Sequence, residues 1–432
     1  MVKNSKVKSI KAREILDSRG NPTIEVDLIT ELGLFQASVP AGASRGKYEA
    51  AELRDGGKRY QGMGVLKAVK NINNIIAPKL KGKEVISQKE IDEFLIKLDG
   101  TEDKSRLGAN AILAVSMAIC RAGAAAKNIP LYQHLAEIHR GPTPVNLAED
   151  GPPPIPCFNV INGGVHAGND LDFQEFMVIP QFKYFTKNLK AGIKIYQNLK
   201  KILKKKFKKI PLGDEGGFAP SLKKTEEALN LLMETIKSTG YLGKVKIGLD
   251  CAATQFFKKK KLRSRKTSSG NGYRLEGKIF SQEELLDFYQ NLIKNYPIIF
   301  LEDPFSQEDD WRGWRKLKVK SEKLKVLIIG DDLTVTNSQR IKLARKRRAC
   351  NAIILKPNQI GTVSETITAA KLAKSYGWKI IVSHRSGETM DKFIADLAVG
   401  IGADFIKSGA PSRPERMAKY NRLLEIEKEI KK

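Results

Sequence analysis

From residue 157 onward, short apolar runs alternate with helix-length amphipathic segments, and each run ends in a polar or charged residue. The runs are KIGLD ending at Asp250, IIFLE at Glu302, VLIIGD at Asp331, NAIILK at Lys356, KIIVSH at His384 and DFIK at Lys407. Strand-length runs separated by helix-length segments predict βα units around a parallel sheet, and so an α/β fold. Parallel strands present their carboxyl ends on one side, so in an open sheet or a barrel these six residues converge on one mouth, where such folds keep their chemistry. One polar strand end is explained by a strand meeting solvent. Six in register are not.

The first part of the chain is patterned differently. TIEVDLIT alternates Ile24, Val26 and Leu28 with Thr23, Glu25 and Asp27, and Gly33 turns it toward LFQASVP, which predicts a half-buried hairpin. Helices follow: Val65, Val69, Ile72 and Ile76 recur at helical spacing, SQKEIDEFLIKL opens on a capping serine, and ANAILAVSMAICRAGAAA reads as a buried helix. The prolines of GPTPVNLAEDGPPPIP, residues 141–156, fit neither helix nor central strand, so we expect an N-terminal α+β domain at 1–140, a linker at 141–156 and the main domain at 157–432.

A chain of 432 residues, 41% hydrophobic, is long enough for a large core. It has no uninterrupted apolar stretch of membrane-spanning length, and its N-terminus lacks a signal-peptide core, so a cytoplasmic location is expected. Cys120, Cys157, Cys251 and Cys350 are far apart without CxxC spacing and read as core thiols. The net charge of +28 predicts attraction to polyanions.

Asp250, Glu302 and Asp331 would bring hard oxygen ligands to the mouth with no Cys or His among them, a set suited to Mg²⁺. Lys356 and Lys407 come from later strands. A lysine near a divalent cation can have its pKa lowered enough to act as a base, while a second can hold an anionic substrate. SHRSGET places Arg385 and Ser386 after a strand as a phosphate grip. Metal, base and grip together point to proton abstraction beside a carboxylate, and an elimination would need an acid for the leaving group. In GDEGGFAP, residues 213–220, Asp214 and Glu215 sit between glycines, where ordinary turn chemistry is the simpler reading when the segment is taken alone.

The strings ILDSRGNPT, FNVINGGVHAGN, QEFMVIP, GDEGGFAP, LEDPF, GDDLTVTN, KPNQIGT, SHRSGET and IKSGAPSRPERMAKYN, in this order from Ile15 to Asn421, closely resemble the enolase family. The resemblance implies a small α+β domain followed by an eight-stranded α/β barrel of TIM-like, enolase type, whose second strand runs antiparallel; the run pattern itself marks no such strand. It implies dehydration of 2-phosphoglycerate to phosphoenolpyruvate with two Mg²⁺ per active site. By residue it implies Lys356 as the C2 base and Glu215 as the acid for the C3 hydroxyl. Asp250, Glu302 and Asp331 would hold the first Mg²⁺, and Ser44 would complete the second. Arg385 and Ser386 would meet the phosphate and Lys407 the carboxylate, with His166, Gln174, Glu175 and His384 as further substrate-site positions. A homodimer or octamer is the family's usual assembly.

The chain departs from the family pattern at Ala41, Arg45, Val165, Gln255 and Met390, none of which is assigned to the chemistry. Basic runs at 198–209, 258–266 and 342–348 read either as solvated faces or as weak polyanion sites, RNA among them. Two other functions stay open at this point: a divergent dehydratase of the same superfamily, and a non-catalytic polyanion-binding protein on the same fold.

Overall fold

The computed structural model describes residues 5–43, 46–141, 153–259, 272–307 and 310–431. Ser44, Arg45, most of the linker segment and most of the run 258–266 lie outside the described residues. Strands β1 (Ser9–Leu16), β2 (Pro22–Thr30) and β3 (Gly33–Ser38) form an antiparallel meander. The alternation in β2 has its expected effect, with Ile24, Val26 and Leu28 fully buried. Helix Ala109–Ala126 packs on β2 and β3. It is long and apolar enough to cross a membrane, but it is buried in the core of this domain. Ser87 does stand at the N-cap of helix Gln88–Asp99, though its side chain makes no capping hydrogen bond.

Eight strands close a barrel: β4 (Ile155–Asn162), β5 (Glu175–Pro180), β6 (Val245–Asp250) and then, after a small sheet β7 (Phe257–Lys258), β8 (Gly272–Leu275) and β9 (Lys278–Phe280), β10 (Ile298–Glu302), β11 (Leu327–Gly330), β12 (Ala352–Leu355), β13 (Lys379–Ser383) and β14 (Phe405–Lys407). All neighbours pair in parallel except β5, which is antiparallel to both β4 and β6. The cause is local. The connection from Asn162 to Glu175 contains only the short turn Gly164–His166, and a parallel crossover needs a helix-length return. A reversed strand presents its amino end at the mouth, so its residue at the mouth begins the run, as Glu175 begins EFMVIP, instead of ending it.

Residues two apart on a strand share a face. Inside the barrel, Cys157, Met177, Ile179, Phe300, Ile329, Ile354, Ile381 and Phe405 form a packed layer, separate from the core between strands and helices. One residue pair nearer the mouth on the same faces stand Asn159, Glu175, Glu302, Asp331, Lys356, Ser383 and Lys407. The apolar layer is therefore the floor of a polar mouth. On β6 the floor position below Asp250 is Gly248, and a Cβ there would lie 2.2 Å from the Phe300 ring, which fills that space. Gly248→Ala is expected to displace the ring and lower stability by about 1–3 kcal/mol, read as a lower denaturant midpoint with an unchanged m-value.

Candidate active site

Strand register brings Glu175, Asp250 and Glu302 side by side: Glu175 pairs with Asp250 across β5 and β6, and Asp250 with Glu302 across β6 and β10. All three are buried. The Lys407 ammonium enters among them from β14, 2.8 and 2.9 Å from the two Glu302 oxygens, 3.1 Å from Glu175 Oε2 and 3.6 Å from Asp250 Oδ2. Burial alone would neutralise Lys407, but the surrounding acids outweigh it and hold its pKa well above the ordinary value. Burial pushes the carboxyl pKa values of Glu175, Asp250 and Glu302 upward, with the mutual repulsion of the acids adding to it.

The second lysine is held differently. Lys356 Nζ donates to Asp331 Oδ2, and Gln359 Nε2 donates to Asp331 Oδ1 at 3.1 Å. Burial works against both charges, yet each partner outweighs it: Asp331 is held below, and Lys356 above, its ordinary pKa. The lowered lysine pKa that the sequence suggests is thus not what this arrangement gives, because Asp331 faces the ammonium directly. The carboxylates of Asp303, Asp331 and Asp332 also cluster, with oxygens within 4.8 Å of one another. Asp303 is committed to the backbone there, accepting from the N–H groups of Asp331 at 3.1 Å and Asp332 at 2.8 Å. Burial and the Asp331 charge raise Asp332 to about 6. Ala252, Asp303, Val335 and Thr336 hold left-handed backbone conformations around this mouth, strain of the kind that collects at functional sites.

Glu215 reaches the mouth on the glycine loop. Gly216 has a φ of +84°, and a Cβ on Gly217 would lie 2.2 Å from Asn162 Oδ1, so the loop seats closely against β4 only without side chains there. Asn159 Nδ2 donates to Glu215 Oε2 at 2.8 Å. Arg416 Nη1 lies 2.6 Å from His384 Nδ1. A guanidinium has donors only, so Nδ1 accepts; burial lowers the His384 pKa to about 4, which leaves a neutral ring with its proton on Nε2. That Nε2–H faces Glu215 Oε2 at 3.4 Å. The Glu215 charge also adds to the burial that keeps Glu175 protonation-prone, so the two glutamates act on each other.

Arg385 is gripped by an acid from the first domain, donating to Glu49 Oε2 at 2.9 Å and Oε1 at 3.2 Å. Ser386 Oγ accepts from Ala43 N at 2.7 Å, and Ala41 and Gly387 exchange backbone hydrogen bonds. The loop that leads to Ser44 is therefore anchored on the Arg385–Gly387 segment. Ala41 serves through its backbone, while Val165 and Met390 are exposed. Gln255 Nε2 donates to Gln174 Oε1 at 2.7 Å, and Gln174 Nε2 donates to Asp250 Oδ2 at 3.3 Å. His166 is described by its backbone alone, in the turn Gly164–His166, and Ser44 is not described. All other expected site residues lie at one mouth, with Glu49, Asn159, Asp303, Asp332 and Arg416 as participants that no sequence pattern singled out.

Residues 7–135 match the family described as "Enolase, N-terminal domain", and residues 153–432 match "Enolase, C-terminal TIM barrel domain". The chain is 51% identical to an enolase of Mastigamoeba balamuthi over 436 aligned residues, which span 99% of this chain and 96% of the relative. It is 52% identical to enolase B of Dictyostelium discoideum over 431 aligned residues, 99% of this chain and 95% of the relative. With both family domains matched in order and identity above half along nearly the whole length, the chain belongs to the enolase family.

Proposed function

We propose that this enolase-family lyase interconverts 2-phosphoglycerate and phosphoenolpyruvate, with Lys356 as the base at C2 and Glu215 as the acid at the C3 oxygen. The observation that carries the assignment is the difference between the two lysines. Lys407 faces three carboxylates within 3.6 Å and keeps its proton, so it serves as fixed positive charge for the substrate carboxylate. Among the described residues Lys356 is ion-paired with Asp331 alone, and it is the lysine able to cycle its proton. In the dehydration Lys356 Nζ receives the C2 proton; in the hydration its protonated form, the one that Asp331 favours, returns it.

Glu215 lies on the β4 side of the same pocket, held by Asn159, while Lys356 follows β12 and is held by Asp331 at the end of β11. The leaving hydroxyl takes its proton from Glu215 and departs as water. His384 Nε2–H directs the Glu215 carboxyl, and Glu49 keeps the Arg385 guanidinium in a fixed plane for the phosphate. The donor set fits magnesium: Asp250, Glu302 and Asp331 are buried, all-oxygen ligands, and the two lysines now set against them show how much positive charge the group demands. Magnesium held there supplies the charge that stabilises the dianion formed at the substrate carboxylate. The reading extends to a cytoplasmic homodimer or octamer.

Purified protein mixed with 2-phosphoglycerate and Mg²⁺ is expected to generate phosphoenolpyruvate absorbance, to stop in excess chelator, and to recover when Mg²⁺ is restored. Undiminished turnover in chelator would contradict the metal assignment. Glu215→Gln is expected to slow phosphoenolpyruvate formation by roughly 10²–10⁴ while exchange of the C2 proton with solvent continues. Loss of exchange in that variant would take Glu215 out of the acid role.

A further inference from the structure

One strongly basic face of the barrel domain has no part in the proposed chemistry. Helix Trp311–Leu324, extended by Lys325, and helix Ser338–Arg347, extended by Arg348, follow consecutive barrel strands β10 and β11. The first segment carries seven cations and the second six, against one acid, Glu322. Arg312, Arg315, Lys320, Lys323, Lys325, Lys342, Arg345, Lys346, Arg347 and Arg348 are exposed. The two helices are neighbours: Arg340 and Arg347 of the second both stack over Trp311 of the first, each 5.9 Å from a ring centroid. Ion pairs with Glu283 and Glu322 occupy Arg312, Lys316 and Lys318. None of the described ion pairs uses Arg315, Lys320, Lys342 or Lys346.

We propose that this two-helix face is a docking surface for RNA, binding the phosphate backbone without sequence preference. Helices of 14 and 10 residues give a face about 21 Å by 15 Å in axial length, enough to meet several successive phosphates. So many like charges repel one another, and a polyanion relieves that repulsion while releasing its own counterions. Six of the thirteen cations are arginines, whose planar forks match phosphate oxygens. Trp311 lies beneath two guanidinium groups and Tyr376 beneath Arg345, so the aromatics hold arginines outward and are not free to stack bases or to anchor in a bilayer. These rings are distant in sequence from the run 342–348, which is why the run looks bare of aromatics.

The test is retention of a labelled single-stranded RNA across a salt titration, for the full chain and two variants of equal net charge. In the first, Arg315, Lys320, Lys342 and Lys346 are changed to Gln. In the second, Lys200, Lys201, Lys204 and Lys205, on helix Phe185–Lys206, are changed to Gln. The first variant is expected to flatten the slope of log K against log salt by roughly 2–3, at about 0.7 for each phosphate that is no longer neutralised, and the second to leave it unchanged. Turnover is expected to stay the same in both. Equal losses in the two variants would show that net charge alone attracts RNA and would overturn the face. So would absence of binding at low salt, or tighter binding to phosphatidylserine vesicles than to RNA.

Discussion

One ammonium group makes the active site possible. Pairing of β5, β6 and β10 forces Glu175, Asp250 and Glu302 into adjacent positions, and adjacent strands lie only about 4.8 Å apart. Three carboxylates at that spacing in a buried site repel one another and lack water, so without a cation they would hold their protons. Lys407 supplies the cation. Its position depends on β14 closing the barrel against β4, and theirs on β5 running backwards, so the charge balance of the mouth and the closure of the fold are one constraint. The apolar floor from Cys157 to Phe405 sets the depth at which that balance is struck.

The same logic separates two kinds of lysine. Lys407 is surrounded, and its proton is immobile. Among the described residues Lys356 is ion-paired with one acid, which raises its pKa less than three carboxylates raise that of Lys407. Asp331 and Glu302 belong to neighbouring strands, so the two lysines act on one continuous group of acids from opposite ends of the strand order. His384, neutral and oriented by Arg416, and Arg385, oriented by Glu49, complete a mouth in which each reactive group is fixed by a partner from another element.

How much of this was legible in the sequence follows from range. The strand ends were readable because a polar residue closing an apolar run is a local pattern, and six such residues do meet at one mouth. Glu175 was hidden from that search because reversal of β5 puts the residue at the mouth at the start of its run; only the family strings pointed to it. Glu49 and Arg385 are 336 residues apart, and Arg416 lies on the last helix, so no local pattern could reveal their contacts. Asp303 sits openly in LEDPF, yet its work is on the backbone of residues 331 and 332, which composition does not show. The basic face was half visible: the run 342–348 stood out, while the partner segment 311–325 spreads its seven cations among Trp, Leu, Val and Ser and draws no notice as a run.

The division of labour between the two lysines is tested most directly by following the C2 proton of 2-phosphoglycerate into deuterated solvent by NMR in Lys356→Ala. If Lys356 is the group that takes the proton, exchange at C2 falls to the uncatalysed level even with Lys407 and the acids intact. Rapid exchange in that variant would contradict the account and return the base to another group at the mouth.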